Sequence, residues 1–417
     1  MRLVFVMLLV ALLPGCTARH TGSTELVFWA FGAEGEHVAK LMPGFEQRHP
    51  EISVRVQMIP WNAAHEKLLT AFAGQSLPDM CQLGNTWIPE FTVLNALDPL
   101  APWVAQSSTV HDSSFFPGIW ATNFIDSVLY GVPWYVDTRV LFYRKDLFDQ
   151  VGFTHPPRSW DEWFEISARL KARFPSDYAI LLPTNNEFAP PIIMGLQDGS
   201  TLLKDKNTRG DFSGKEFIQA MHAFHKFFEN GWAPAKPTQI VNVFQSFAEG
   251  YFAMYITGPW NIGEFMRRLP DTLQNAWMTA PLPGPNGNIG VSLAGGSSLV
   301  MFKSSKHKPE VWKLIEYLSE PEQQLQLYHF TGDLPGRVEA WRDSALANNK
   351  YAEAFFEQLK HVVPTPKVPE WEQIAQKTRE YVELISMDVL TVEKGMAELD
   401  RQVDVILEKR RWLVYGQ

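Results

Sequence analysis

Residues 131–148 read GVPWYVDTRVLFYRKDLF, and the reading of this stretch decides the architecture. An apolar run of Val132, Trp134, Tyr135 and Val136 meets Asp137-Thr138-Arg139. A second run, Val140 to Tyr143, then ends at Arg144-Lys145-Asp146. Burying an unpaired charge is costly, so a strand threading a dry core does not place Asp and Arg at its middle. The stretch predicts two strands in different domains, joined by a polar crossing whose side chains face a wet gap.

Length and composition agree with two domains. The chain has 417 residues, beyond the usual size of one hydrophobic core, with 46% hydrophobic and 20% charged residues. A net charge of −9 argues against nucleic-acid binding, which needs a basic face to neutralise phosphates. Aromatic residues reach 13%, including 15 Trp, enough to furnish a ligand cleft as well as cores.

Arg2 precedes an apolar run from Leu3 to Leu13 that is shorter than the roughly 20 residues a spanning helix needs. The following Leu13-Pro14-Gly15-Cys16 resembles a bacterial lipobox, predicting a lipoprotein signal at residues 1–15, lipidation of Cys16 and a linker over 16–24. A plainly secreted chain is the alternative. Removal of residues 1–15 takes Arg2 with it, moving the net charge from −9 to −10. Cys81 is then the one free thiol, in an apolar run that predicts inert core packing.

Downstream of the linker, Glu25 to Phe31 predicts a buried strand, broken at Gly32-Ala33-Glu34-Gly35. Val38, Leu41, Met42 and Phe45 predict a helix stopped by Pro50. Alternation over Ile52 to Met58 predicts a half-buried strand; a helix over Ala63 to Ala73 and a strand at Asp79 to Leu83 follow. This β-α-β-α-β order predicts an α/β fold with a doubly wound sheet, in which ligands gather beyond the carboxyl ends of the strands. That rule selects Phe31 to Gly35, Trp61 to His65 and Gly84 to Trp87.

Beyond the crossing, helices are predicted at Trp160 to Phe174 and Lys215 to Glu229. The phrase FAEGYFAMYITGPWNIGEF (247–265) then predicts helix end, strand and a rigidly presented Trp260. Gly258 is expected to supply unusual dihedrals there and Pro259 to fix the next one. GVSLAGGSSLVMF (290–302) predicts a second crossing in which Gly295-Gly296 lets backbone approach a ligand. Helices are expected at Pro309 to Ser319, Pro321 to Phe330, Tyr351 to His361, Trp371 to Met387 and Val392 to Arg410.

No Walker A loop, G-x-S-x-G elbow or H-E-x-x-H occurs. His222 and His225 have one-turn spacing that could hold a metal, but apolar neighbours favour packing. Asp161-Glu162 could serve as glycosidase carboxylates, but after Ser159 they suit a helix N-terminus. Trp120, Trp312 and Trp341 are assigned to cores. What remains are aromatics at strand ends, Trp87, Trp134, Tyr135 and Trp260, able to stack on a ligand, and Glu34, Asn85, Asp137, Arg139 and Ser297, able to hydrogen-bond it.

These features together resemble the extracellular solute-binding proteins of ABC importers, in the carbohydrate cluster that includes maltose-binding protein. The resemblance rests on the lipobox, Pro78-Asp-Met80, Gly131-Val-Pro with Tyr143-Arg-Lys-Asp-Leu-Phe148, Phe247-Ala-Glu-Gly250 with Ala253-Met254, Gly258-Pro259-Trp260 and Gly295-Gly296-Ser297. It implies two lobes, 25–136 plus 297–333 and 139–292 plus 336–417, joined by crossing segments and closing on a ligand. Trp260 takes the place of a stacking tryptophan, Asp137 to Arg139 that of the first crossing, and Asn85, Thr86 and Trp87 that of a ligand loop. Phe31, Gly32 and Glu34 belong to the first strand-end loop, and Gly296 and Ser297 to the return. Arg337, in a third crossing at 332–337, and Trp371 are further implied contacts. The implied protein is a monomeric, non-catalytic receptor without cofactor or metal, held at the cell envelope or in the periplasm by lipid at Cys16 and meeting membrane permease subunits. The implied ligand is a maltose- or trehalose-like disaccharide or short oligosaccharide. A non-sugar solute such as glycerol phosphate, a polyamine or a metal chelate on the same fold, and an envelope glycoside hydrolase, are the alternatives.

Overall fold

A computed structural model describes residues 23–184, 187–236, 240 and 242–416. Cys16 and the lipobox lie outside the described residues. Ten principal strands build two sheets: β1 (Thr24–Phe31), β2 (Ile52–Ile59), β3 (Met80–Gly84), β4 (Val132–Asp137), β5 (Val140–Arg144), β6 (Tyr178–Leu181), β7 (Phe252–Thr257), β8 (Trp277–Ala280), β9 (Gly295–Met301) and β10 (Leu334–Pro335). The first sheet runs β10-β4-β9-β3-β1-β2 and the second β8-β5-β7-β6.

The expected parallel series is present: β1 pairs in parallel with both β2 and β3. Strand β9 runs antiparallel to both of its neighbours, β3 and β4, with Gly296 opposite Val136 and Ser297 opposite Tyr135. Only Thr138 and Arg139 separate the first sheet from the second, so the charged interruption is where the chain changes lobes. Leu26, Phe28, Trp134, Leu299 and Leu314 lie in one core under the first sheet, and Leu141, Trp163, Phe217, Met254 and Trp371 in another under the second. Aromatic packing ties late chain to early: Tyr351 stacks on Trp277 at 3.8 Å, and Trp277 stacks in turn on Phe142 at 5.8 Å.

Two of the sequence blocks that carry the resemblance, Tyr143 to Phe148 and Phe247 to Gly250, form one structural device. Arg144 is buried, grips Asp146 through Nε and Nη2 at 2.8 and 2.7 Å, and donates through Nη1 to the carbonyls of Phe247 (2.7 Å) and Ala248 (3.0 Å). Those carbonyls end the helix Val243–Glu249, where the chain leaves through Gly250 at φ 80°. A cation on orphan helix carbonyls satisfies them and suits the negative end of the dipole.

Several local expectations change. Gly32–His37 opens a helix rather than merely breaking the strand, and the expected helix through Phe45 is divided by a 3-10 turn at Val38–Lys40, with Met42–Arg48 restarting at Pro43. The last helix divides into Val392–Ile406 and Glu408–Tyr415. Ser159 caps its helix by accepting from the Glu162 amide at 3.2 Å, which accounts for Asp161-Glu162. His222 and His225 pair with Glu393 (2.8 Å) and Asp388 (3.0 Å), and among the described residues no group of three or more His, Cys, Asp or Glu is placed to hold a metal. Trp312 and Trp341 are buried as expected; Trp120 is half-buried, stacked on Phe115 at 5.2 Å. Cys81 is fully buried.

Candidate functional site

The carboxyl ends of β1, β2 and β3 face the end of β7 across the crossing, enclosing a cleft of about 590 Å³. Its rim and walls include Glu34, Trp61, Asn85, Thr86, Trp87, Tyr135, Asp137, Arg139, Trp260, Gly296, Asp333 and Glu372. A mostly apolar concavity of this size with a few convergent polar groups is the form of a small-molecule site.

On the first lobe, two indoles make a corner: Trp61 and Trp87 sit 5.7 Å apart at 65°, with Phe31 behind both at 5.2 and 6.0 Å. Gly32 makes that corner possible. It sits at φ +54°, and a Cβ there would lie 2.5 Å from the Trp61 ring. The Trp61 Nε1 donates to Glu34 Oε2 at 3.4 Å. His65 supports Trp87 from outside at 4.9 Å and is bonded to Glu90 at 2.6 Å, a contact that raises the imidazole pKa.

The floor is organised by Gln82, a polar residue inside β3. Its Oε1 accepts from the Phe31 amide at 2.7 Å, while Nε2 reaches Glu34 Oε1 and the Tyr135 hydroxyl, each at 3.2 Å. Ser297 donates to the Tyr135 hydroxyl at 3.0 Å. Burial, then the charges of Glu34 and Asp333, push the Tyr135 phenol well up, so it remains a hydrogen-bond donor. Gly296 is at φ +116°, and any Cβ would meet the Tyr135 carbonyl at 2.3 Å.

At the crossing, Arg139 donates through Nη1 to Asp137 (2.5 Å) and through Nε and Nη2 to Glu187 (3.3 and 3.1 Å). Its guanidinium lies 4.7 Å over the Trp260 ring. Burial raises the Asp137 carboxyl from 3.8 to about 6; Arg139 opposes this and Glu187 adds to it. Burial disfavours the Arg139 charge, but Asp137 and Glu187 hold its pKa above the ordinary value. Burial and the neighbouring Glu34 raise Asp333 to about 7.

The second lobe presents Trp260, 43% exposed, at the start of the helix Trp260–Arg268. Gly258 is required there for room rather than for its dihedrals: a Cβ would lie 1.9 Å from the folded-back Trp260 ring. Across the cleft mouth, Thr86 of the first lobe donates to Glu372, on the helix Trp371–Ser386, at 2.5 Å. Asn85 accepts from Ser298 at 3.1 Å through Oδ1, and its Nδ2 is buried without a partner.

Of the residues expected from sequence, Glu34, Asn85, Thr86, Trp87, Tyr135, Asp137, Arg139, Trp260 and Gly296 come together on the cleft. Phe31, Gly32 and Ser297 lie one layer behind and shape it. Trp371 is buried in the second lobe's core, 6.3 Å from the cleft residue Phe188. Trp134 is also fully buried, in the first lobe's core, and does not line the cleft. Arg337 is placed elsewhere: buried, with Nη1 on the Thr109 carbonyl and its guanidinium 5.6 Å over Phe115, it braces the first lobe off the cleft wall. Asp333, in the same segment, takes the cleft position instead. Trp61, Phe188, Asp333 and Glu372 are among the lining residues that sequence reasoning did not single out; for Trp61 the strand-end rule already selects its segment.

A family model described as bacterial extracellular solute-binding protein matches residues 30–325. Among solved structures, the sugar-binding protein MalE from the phytopathogen Xanthomonas citri superposes with a TM-score of 0.92 at 49% identity, covering 94% of this chain and 100% of that one. The galactooligosaccharide-binding protein of Bacillus subtilis (strain 168) is 26% identical over 365 residues, 84% of this chain and 82% of its own. A putative binding protein of Brucella abortus (strain 2308) is 23% identical over 404 residues, 96% of this chain and 97% of its own.

Proposed function

Because the chain belongs to the bacterial extracellular solute-binding proteins, we propose that it is the sugar receptor of an ABC importer. It takes a disaccharide or short oligosaccharide of the maltose or trehalose kind between its lobes and delivers it to membrane permease subunits, without catalysis. We further propose that lipid on Cys16 tethers it as a monomer at the envelope. The observation that carries the reading is the pairing of flat aromatic faces, Trp61, Trp87 and Trp260, with the carboxyl groups of Glu34, Asp137 and Asp333 and the donor hydroxyl of Tyr135, around one cleft between two lobes. Sugars present C–H faces that stack on rings and hydroxyls that need matched donors and acceptors; a site built for those hydroxyls rejects ligands lacking them.

Ligand bridging both lobes stabilises the closed form by its differential affinity for that form. The Thr86 hydroxyl also donates to Glu372 across the mouth of the cleft. Titration calorimetry of the mature protein against maltose, trehalose, sucrose and galacto-oligosaccharides tests the reading. Saturable heat with at least one of them is expected; flat heats across the panel, with binding of a peptide or metal instead, would sink it.

A further inference from the structure

The cleft has a pronounced charge asymmetry. Among the described residues that line it, four carboxyl side chains, Glu34, Asp137, Asp333 and Glu372, face one cation, Arg139. That cation is already engaged. Its Nε, Nη1 and Nη2 donate to Asp137 and Glu187, and Trp260 covers one face of its guanidinium. An incoming phosphate or carboxylate would have to break this pairing to be met, stranding two carboxylates in a half-buried site. Among the described lining residues, the buried side-chain donor without a partner is neutral: Nδ2 of Asn85, which can serve a hydroxyl or ether oxygen but carries no charge. The carboxyls also feel one another, since Glu34 is a cause of the raised Asp333 pKa and Glu187 of the raised Asp137 pKa.

We infer that the cleft is an electrostatic filter: it admits neutral saccharides and saccharides bearing a protonated amine, and it excludes phosphorylated or acidic ones, with Asp333 and Glu372 as its charge-reading residues. The inference rests on the sugar-receptor reading for its ligand class. It also places this protein before any phosphorylation of the sugar, so the reaction that consumes the imported solute is hydrolysis, phosphorolysis or kinase transfer acting on an unphosphorylated molecule.

The test uses the mature full-length protein at pH 8.5, above the value of about 7 to which the Asp333 carboxyl is raised, so that it is ionised, and at low ionic strength, where exposed-charge effects are least screened. Maltose and trehalose, their 6-phosphates, their 6-amino-6-deoxy derivatives and spermidine are titrated separately by calorimetry. The amine derivative of a binding sugar is expected to bind at least as tightly as its parent, and the phosphate at least about tenfold more weakly. Added salt should narrow that gap, and Asp333→Asn and Glu372→Gln should each shrink the phosphate handicap several-fold. A phosphorylated sugar that matches its parent overturns the inference, as does a handicap unchanged in both variants. Spermidine binding without any sugar binding overturns the sugar reading while upholding the charge filter; silence from every probe, spermidine included, overturns both.

Discussion

Asp137→Asn separates the ligand role of the crossing from its structural role. In the folded chain the Asp137 carboxyl is raised from 3.8 to about 6, a gap corresponding to about 3 kcal/mol of penalty for holding it ionised. Because the folded value lies above the unfolded one, the carboxyl's favourable contribution is fully present below about pH 4 and is lost as pH rises through about 6. Asparagine does not titrate, so the penalty disappears at neutral pH. Arg139 is not stranded by the change, because Glu187 still accepts from its Nε and Nη2. Two carboxylates on one guanidinium become one.

The expected result in urea unfolding of the ligand-free protein is therefore a stability difference, variant minus wild type, that grows by up to about 3 kcal/mol between about pH 4 and pH 7. Asp333 titrates in both proteins and largely cancels in that difference. Sugar affinity should fall by about tenfold or more, since one charged acceptor at the cleft becomes an amide. A flat difference curve, or a variant several kcal/mol less stable at neutral pH with unchanged affinity, would refute the assignment and make Asp137 a structural counterion.

Other consequences can be checked in the same assays. Trp260→Ala should cost about 2 kcal/mol of sugar affinity, measured by calorimetry, while the ligand-free melting temperature moves little because the ring is 43% exposed. Gly296→Ala places a methyl 2.3 Å from the Tyr135 carbonyl in a backbone region that L-residues avoid, so denaturant unfolding should register a loss of about 2–4 kcal/mol. Arg337→Ala should destabilise the ligand-free protein by about 2 kcal/mol and leave sugar affinity within error, the reverse of Trp260→Ala. Glu372→Ala removes the bond to Thr86 across the mouth; scattering of the ligand-free protein should show a more open average, and affinity should fall by severalfold.

What the sequence by itself determined follows from short-range physics. Alternation and apolar runs locate β1, β2 and β3, and the cost of a bare buried charge marks Asp137 to Arg139 as the place where the chain leaves one sheet for the other. The strand-end rule then points to Phe31 to Gly35, Trp61 to His65 and Gly84 to Trp87, and Gly258-Pro259 points to Trp260. What only tertiary structure decided depends on partners far away in the chain. Arg144 looks like one more polar residue after a strand until the helix ending at Glu249 arrives beneath it. Gln82 becomes the hub of the cleft floor only when Phe31, Glu34 and Tyr135 converge on it. Within the segment 332–337, spacing could not tell Asp333 from Arg337; the direction in which the segment pairs with β4 sends the carboxylate to the cleft and the guanidinium to Thr109. The Gly258-Pro259 sequence suggests a need for unusual dihedrals, yet Gly258 is needed for space, because the ring that would collide with a side chain there folds back from Trp260.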